Sequence, residues 1–194
     1  VGITCFNTSF SAAFVFMENE QTTAYEKALD NFTKHFKIKP RVFLTDNEDA
    51  LIKAINKTFP NSSHLLCIWH LNKNILSNCL KHFESRDQFD AFMKEWNSLI
   101  KNCDTESAFQ ISLSSLMDSL ASYPQVVEYL NKNIIPLKEK FASPWTNKIK
   151  HFGNLATSRV EGQHRVIKSY LSGSTGDLLT AVESIQLSVC NQVR

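Results

Sequence analysis

The sequence predicts an α/β fold with at least one parallel crossover and an all-helical stretch set inside it. Three observations lead there. Over residues 1–83, short runs rich in Val, Ile, Leu and Phe alternate with segments of helical period. Over residues 84–150 all strand-like alternation disappears, and Phe, Met, Leu and Trp recur at spacings of three and four. From 151 to 194 the pattern is helical again, after a turn around Gly153. The chain therefore divides into a first α/β part (1–83), a helical insertion (84–150) and a C-terminal helical part (151–194).

Each element has a local reason. Val1–Phe6 and Ala12–Met17 have strand composition, and Asn7-Thr8-Ser9 between them reads as a hairpin connection. Across Gln21–Phe36, Tyr25, Leu29, Phe32 and Phe36 fall on one helix face. Pro40 forbids helix, and the apolar run Arg41–Thr45 ends at Asp46. Asp49–Phe59 is helical, with Pro60 as its stop. His64–Cys67 is a further strand, running into a helix from Trp69 to Phe83. Strands separated by helices in this way call for parallel pairing. In the insertion, Phe89, Phe92, Met93, Trp96, Leu99 and Ile100 share a face, as do the apolar residues of Phe109–Leu120 and Val126–Leu130. A helix follows from Ser158 to Leu171. The Ser172–Gly176 turn then leads to a last helix from Asp177.

Composition narrows the function classes. Hydrophobic residues at 43% and charged residues at 21% describe a folded globular chain and exclude a disordered one. No apolar run approaches the roughly 18 residues of a membrane span, so no membrane partner is expected. A net charge of +2 is too small to argue for nucleic acid. Five cysteines without a C-x-x-C pair fit reduced thiols in a cytosolic or nuclear setting better than a disulfide framework. The chain opens inside an apolar run without an initiator Met, as a piece of a longer protein would.

Three places could carry chemistry. Asp46 ends a strand just before a helix, where α/β sheets gather functional side chains and where a carboxylate can hold Mg²⁺; Asp46, Asn47 or Asp49 could equally cap the helix. Glu161 completes Ser158-x-x-Glu161, a capping box. Yet Gly162 beside it costs helix stability on the order of 1 kcal/mol, and so suggests a close approach to the backbone. His164, Arg165 and Lys168 follow along the same helix, as phosphate contacts or as a solvated face. Cys67-Ile-Trp-His70 has the spacing of half a zinc site, without a convincing second half, so no structural zinc is expected.

Taken together, these segments resemble the MULE transposase domain of Mutator-like DNA transposases, also found in transposase-derived far-red-response factors. The resemblance is carried by Val1-Gly-Ile-Thr-Cys5 with Ala12–Phe16, by Val42-Phe-Leu-Thr-Asp46, and by His64-Leu-Leu-Cys-Ile-Trp-His70. Thr157–Lys168 with Leu171–Leu178 is similar to the family's third-carboxylate segment. The resemblance implies an RNase H-like fold whose all-helical insertion precedes the last catalytic helix. It implies an Asp, Asp, Glu triad binding two Mg²⁺ or Mn²⁺ ions, with Asp46 and Glu161 as the second and third members, and Cys67 and His70 as a near-site pair. Arg159, His164, Arg165 and Lys168 become candidates for DNA-phosphate contact. Transposon-end and target DNA become the partners, self-association is a further possibility, and the nucleus becomes the location. One departure is large: the family's first Asp lies on a strand before Val1-Gly-Ile-Thr, and neither is present in these residues. The fragment alone is therefore expected to be inactive. A domesticated DNA-binding or transcription-regulating module without cleavage is the alternative.

Overall fold

In a computed structural model, residues 1–3, 6–36, 39–171 and 177–192 are described. Thr4 and Cys5 of the opening motif and the 172–176 turn lie outside them. The chain forms two compact units: Val1–Glu18 with Thr157–Arg194, and Asn19–Ala156.

The first unit contains strands β1 (Gly2–Ile3) and β2 (Ser9–Phe10), paired antiparallel with Gly2 opposite Phe10 and Ile3 opposite Ser9. A Cβ at Gly2 would run into the Phe10 ring, so this pairing needs glycine there. Asn7 makes the turn at φ 61°, a left-handed conformation that Asn tolerates better than most residues. The strand expected at Ala12–Met17 is not formed: residues 11–17 have no regular structure, and Phe14, Val15, Phe16 and Met17 are exposed. Strand composition stabilises a strand only through cross-strand neighbours, and here the ladder stops at Phe10. Helix α8 spans Ser158–Tyr170 and α9 spans Leu178–Gln192. Asn191 Nδ2 donates to the Tyr170 hydroxyl across this pair at 3.3 Å.

The second unit starts with α1 (Thr22–His35), then β3 (Val42–Thr45), α2 (Asp49–Thr58), β4 (Ser63–Leu66) and α3 (Ile68–Cys79). Strands β3 and β4 pair in parallel, with Val42 opposite Ser63 and Thr45 opposite Leu66, so β3–α2–β4 is the expected crossover. From α3 onward every described element of this unit is helical. After a 3₁₀ turn come α4 (Arg86–Asn102), α5 (Glu106–Ser119), α6 (Pro124–Tyr129), a π turn and a 3₁₀ turn, and α7 (Ser143–Thr146). Helix α4 opens with a complete capping box between Ser85 and Gln88. Among the described residues, the strands form two separate two-stranded sheets within a mostly helical chain.

One core joins the parallel pair to the helices. Leu66, Ile68, Leu71, Ile75 and Cys79 pack with Phe89, Phe92, Trp96 and Ile100 of α4, and with Phe109, Val126, Leu130 and Phe141 beyond. Each fully buried large apolar side chain contributes roughly 1.5–3 kcal/mol by leaving water. A polar chain locks α3 onto α4: Trp96 Nε1 donates to Asn72 Oδ1 at 3.1 Å, and Asn72 Nδ2 donates to Asn97 Oδ1 at 3.0 Å.

Candidate active site

The parallel register brings two of the sequence motifs to one edge. Asp46 leaves the carboxyl end of β3, and Cys67 leaves the carboxyl end of β4. The Cys67 amide, one residue past the end of β4, donates to the carbonyl of Thr45, the last residue of β3, at 2.8 Å. Asp46 is exposed, Cys67 is buried and His70 is half-buried. This is the strand-end position where open α/β sheets place their functional side chains.

Capping does not account for Asp46. The N-cap of α2 is Glu48, and its side chain makes no capping bond. Neither Asp46 nor Asn47 occupies the N-cap position, and Asp49 is the first helical residue. The Asp46 loop is held by other groups. Tyr25 of α1 donates its hydroxyl to Glu48 Oε2 at 2.8 Å. Burial, then the Glu48 carboxylate, with Glu20 and Asp46 further contributors, pushes the Tyr25 hydroxyl's pKa well up.

On the other flank, Thr45 Oγ1 donates to the Asp46 carbonyl at 2.7 Å and lies 2.7 Å from His64 Nε2. A hydroxyl has one proton, so His64 is the donor in the second bond, and its Nδ1 is the unprotonated nitrogen. That Nδ1 is buried without a hydrogen-bond partner. Burial, with Lys140 a smaller contributor, lowers the His64 pKa from 6.5 to about 4. Tyr25, Thr45 and His64 were invisible as site residues in the sequence, since their bonds to this loop depend on packing between elements.

Helix α8 begins at Ser158, its N-cap is Thr157, and the Thr157 side chain makes no capping bond. Ser158 is thus inside the helix, and the Ser158–Glu161 capping box is not formed. Asp177 shows the contrast: its carboxylate accepts from the Thr180 amide at 2.8 Å and the Thr180 hydroxyl at 3.1 Å. Those bonds hold its pKa below the usual range. The close approach expected at Gly162 is also absent among the described residues, for a Cβ there would meet nothing within 4 Å. Glu161, His164, Arg165 and Lys168 are exposed along α8.

Arg159 has a different setting. Its guanidinium donates to the Asn7 carbonyl at 2.9 Å, to Asn7 Oδ1 at 2.7 Å and to Ser9 Oγ at 3.3 Å. It clamps the left-handed hairpin turn to α8.

Carboxylate oxygens are the donors that Mg²⁺ and Mn²⁺ prefer, and Asp46 and Glu161 each offer one on an exposed surface. Among the described residues, no three His, Cys, Asp or Glu side chains are grouped to hold a metal ion. Among the described residues, Cys67, Cys79, Cys103 and Cys190 are in no disulfide, and Cys5 lies outside them.

Comparison with known proteins supports part of the resemblance. Residues 1–74 match the family model of the MULE transposase domain. The matched stretch contains Asp46, Cys67 and His70, and ends before Glu161. The chain is also similar to the PKS-NRPS hybrid synthetase cheA of Chaetomium globosum, 25% identical over 214 residues. That alignment covers 98% of this chain but 4% of the synthetase. The synthetase's name thus describes a protein of which this chain matches a small part. No helix among the described residues is long and apolar enough to cross a membrane.

Proposed function

We propose that this chain is a catalytic-domain fragment of a Mutator-like DNA transposase, with an RNase H-like core interrupted by the 84–150 helical insertion. The observation that carries the reading is Asp46. It lies within the match to the MULE domain, stands at the carboxyl end of a parallel strand, and does not cap the helix that follows. Glu161 supports it more weakly, through its motif and the absence of the capping box.

In this reading Asp46 and Glu161 would supply hard oxygen ligands for two Mg²⁺ or Mn²⁺ ions, together with an Asp upstream of Val1. When bound, such ions lower the pKa of an attacking oxygen and stabilise a leaving one. The remaining steps belong to the DNA and to this chain. Water adds to phosphorus, the bond from phosphorus to the 3′-oxygen breaks, and a 3′-hydroxyl is released. That hydroxyl then attacks a target phosphodiester, its oxygen bonding to phosphorus while the target strand's own 3′-oxygen leaves and takes up the proton. Arg165 and Lys168, exposed on α8 beyond Glu161, position phosphates without reading sequence. Arg159 is better suited to hold the β1–β2 turn, given its three bonds there. Thr45, His64 and Tyr25 keep the Asp46 loop in place.

The test is supercoiled-plasmid nicking, beside a filter-binding titration at fixed salt. The chain joined to its upstream sequence through the first Asp should nick with Mg²⁺ or Mn²⁺, and residues 1–194 alone should not. Asp46→Ala and Glu161→Ala should each abolish nicking and leave DNA binding nearly intact, because Lys and Arg contacts carry the affinity. An extended protein that binds DNA but never nicks would instead be a transposase-derived binding module.

A further inference from the structure

We propose that Trp69 and Lys73, at the start of α3, form a stacking platform for an unpaired base of single-stranded DNA. The inference rests on reading the chain as a DNA-processing protein, and adds to it a substrate feature that phosphate contacts do not provide.

Trp69 is off the buried stripe of its helix. The core side of α3 is Ile68, Leu71, Ile75 and Cys79, whereas Trp69 is 48% exposed. Of the other two tryptophans, Trp96 is fully buried and Trp145 is packed against the core. Leaving half of an indole in water forgoes much of the transfer free energy that makes Trp favourable in a fold.

The exposed ring is nonetheless oriented. The His70 ring meets it edge-on, with centroids 4.7 Å apart and planes at 78°. Lys73, one turn along, places Nζ 5.2 Å from the ring centroid. A ring held in this way presents a set surface, so a stacking partner loses less entropy in docking.

The chemistry around the ring selects the partner. Helix α3 contains no Asp or Glu, and Lys73 and His70 are its titratable nitrogen groups. An apolar protein segment would have to desolvate Lys73 to reach the indole. A nucleotide instead offers a flat π face to the ring and a phosphate to the ammonium. Bases within a duplex have both faces covered by their neighbours, so the occupant is an unpaired nucleotide, such as one exposed at a cut or melted end.

The experiment uses intrinsic tryptophan fluorescence of the 194-residue chain, titrated at fixed salt with an oligothymidylate of about 12 nucleotides. Binding should quench the emission. Because Trp69→Ala removes the reporting ring, it is compared with wild type by filter binding of labelled oligothymidylate and of duplex. Checked for native circular dichroism, it should bind oligothymidylate roughly 5- to 100-fold more weakly and duplex little differently. Trp69→Phe should retain part of the affinity, and Lys73→Ala should lower the slope of log affinity against log salt by about one. A Trp69→Ala protein that binds oligothymidylate as tightly as wild type overturns the platform, and if it still binds duplex the DNA-processing reading survives. A blue shift of the emission with rising protein concentration, without oligonucleotide, would put a second copy on Trp69 and also overturn it. Quenching that persists in an extended chain unable to nick would leave the platform standing and sink the nuclease.

Discussion

Lowering pH should destabilise this protein through His64, and the size of the effect follows from its surroundings. His64 is 9% exposed, its Nε2–H bonds Thr45 Oγ1, and its Nδ1 is buried without a partner. Protonating Nδ1 would place a cation there, near Lys140. Burial and Lys140 accordingly bring the pKa from 6.5 down to about 4. The unfolded chain therefore takes up the proton first as pH falls. The stabilisation is complete above about pH 6.5 and is lost as pH falls toward about 4. One pKa unit corresponds to about 1.4 kcal/mol. Between about pH 7 and pH 5 the loss is on the order of 1–2 kcal/mol, allowing for solvent screening of the Lys140 contribution. The assay is urea unfolding of the wild type and of His64→Gln, which keeps a donor for Thr45 without a titrating group. The difference in stability between the two should shift by that amount across the interval. Parallel pH profiles for the two proteins would show that His64 does not titrate as a buried group, and the argument from its orphaned Nδ1 would fail.

Asn72→Leu removes the acceptor of the buried Trp96 N–H and the donor to Asn97, so denaturant unfolding should show a loss of about 1–3 kcal/mol; an unchanged midpoint would mean water replaces both bonds. Gly162→Ala should raise stability by up to about 1 kcal/mol, because a Cβ there meets open space inside a helix. A lower melting temperature would contradict the geometry of α8, whereas a more stable but non-nicking extended chain would point to DNA approaching that surface. Phe109→Ala, at a fully buried ring stacked edge-on against Trp145, should cost about 3–5 kcal/mol in the same unfolding assay. Arg159→Ala should loosen the β1–β2 turn, seen as faster amide exchange at Ile3 and Phe10, whereas a role in phosphate binding alone would leave that exchange unchanged.

Periodicity alone determined much of the scaffold. Phe89, Phe92, Trp96, Leu99 and Ile100 are buried on α4 as their spacing requires, because a helix exposes or buries a face according to a local repeat. The parallel crossover was legible too: two short apolar runs flank a helix, with Pro40 ahead of the first run and Pro60 closing the helix. The resemblance to the MULE domain was legible too, and residues 1–74 match its family model. Tertiary structure decided the rest. Ala12–Met17 has strand composition but no ladder, because a strand is stabilised by its neighbours. Ser158 lost the N-cap position to Thr157 by one residue, a margin within which competing local geometries differ little in energy. Arg159 is bound to Asn7, and His64 to Thr45, by hydrogen bonds between residues distant in sequence. Such bonds depend on direction and distance between separate elements, and no local repeat encodes either.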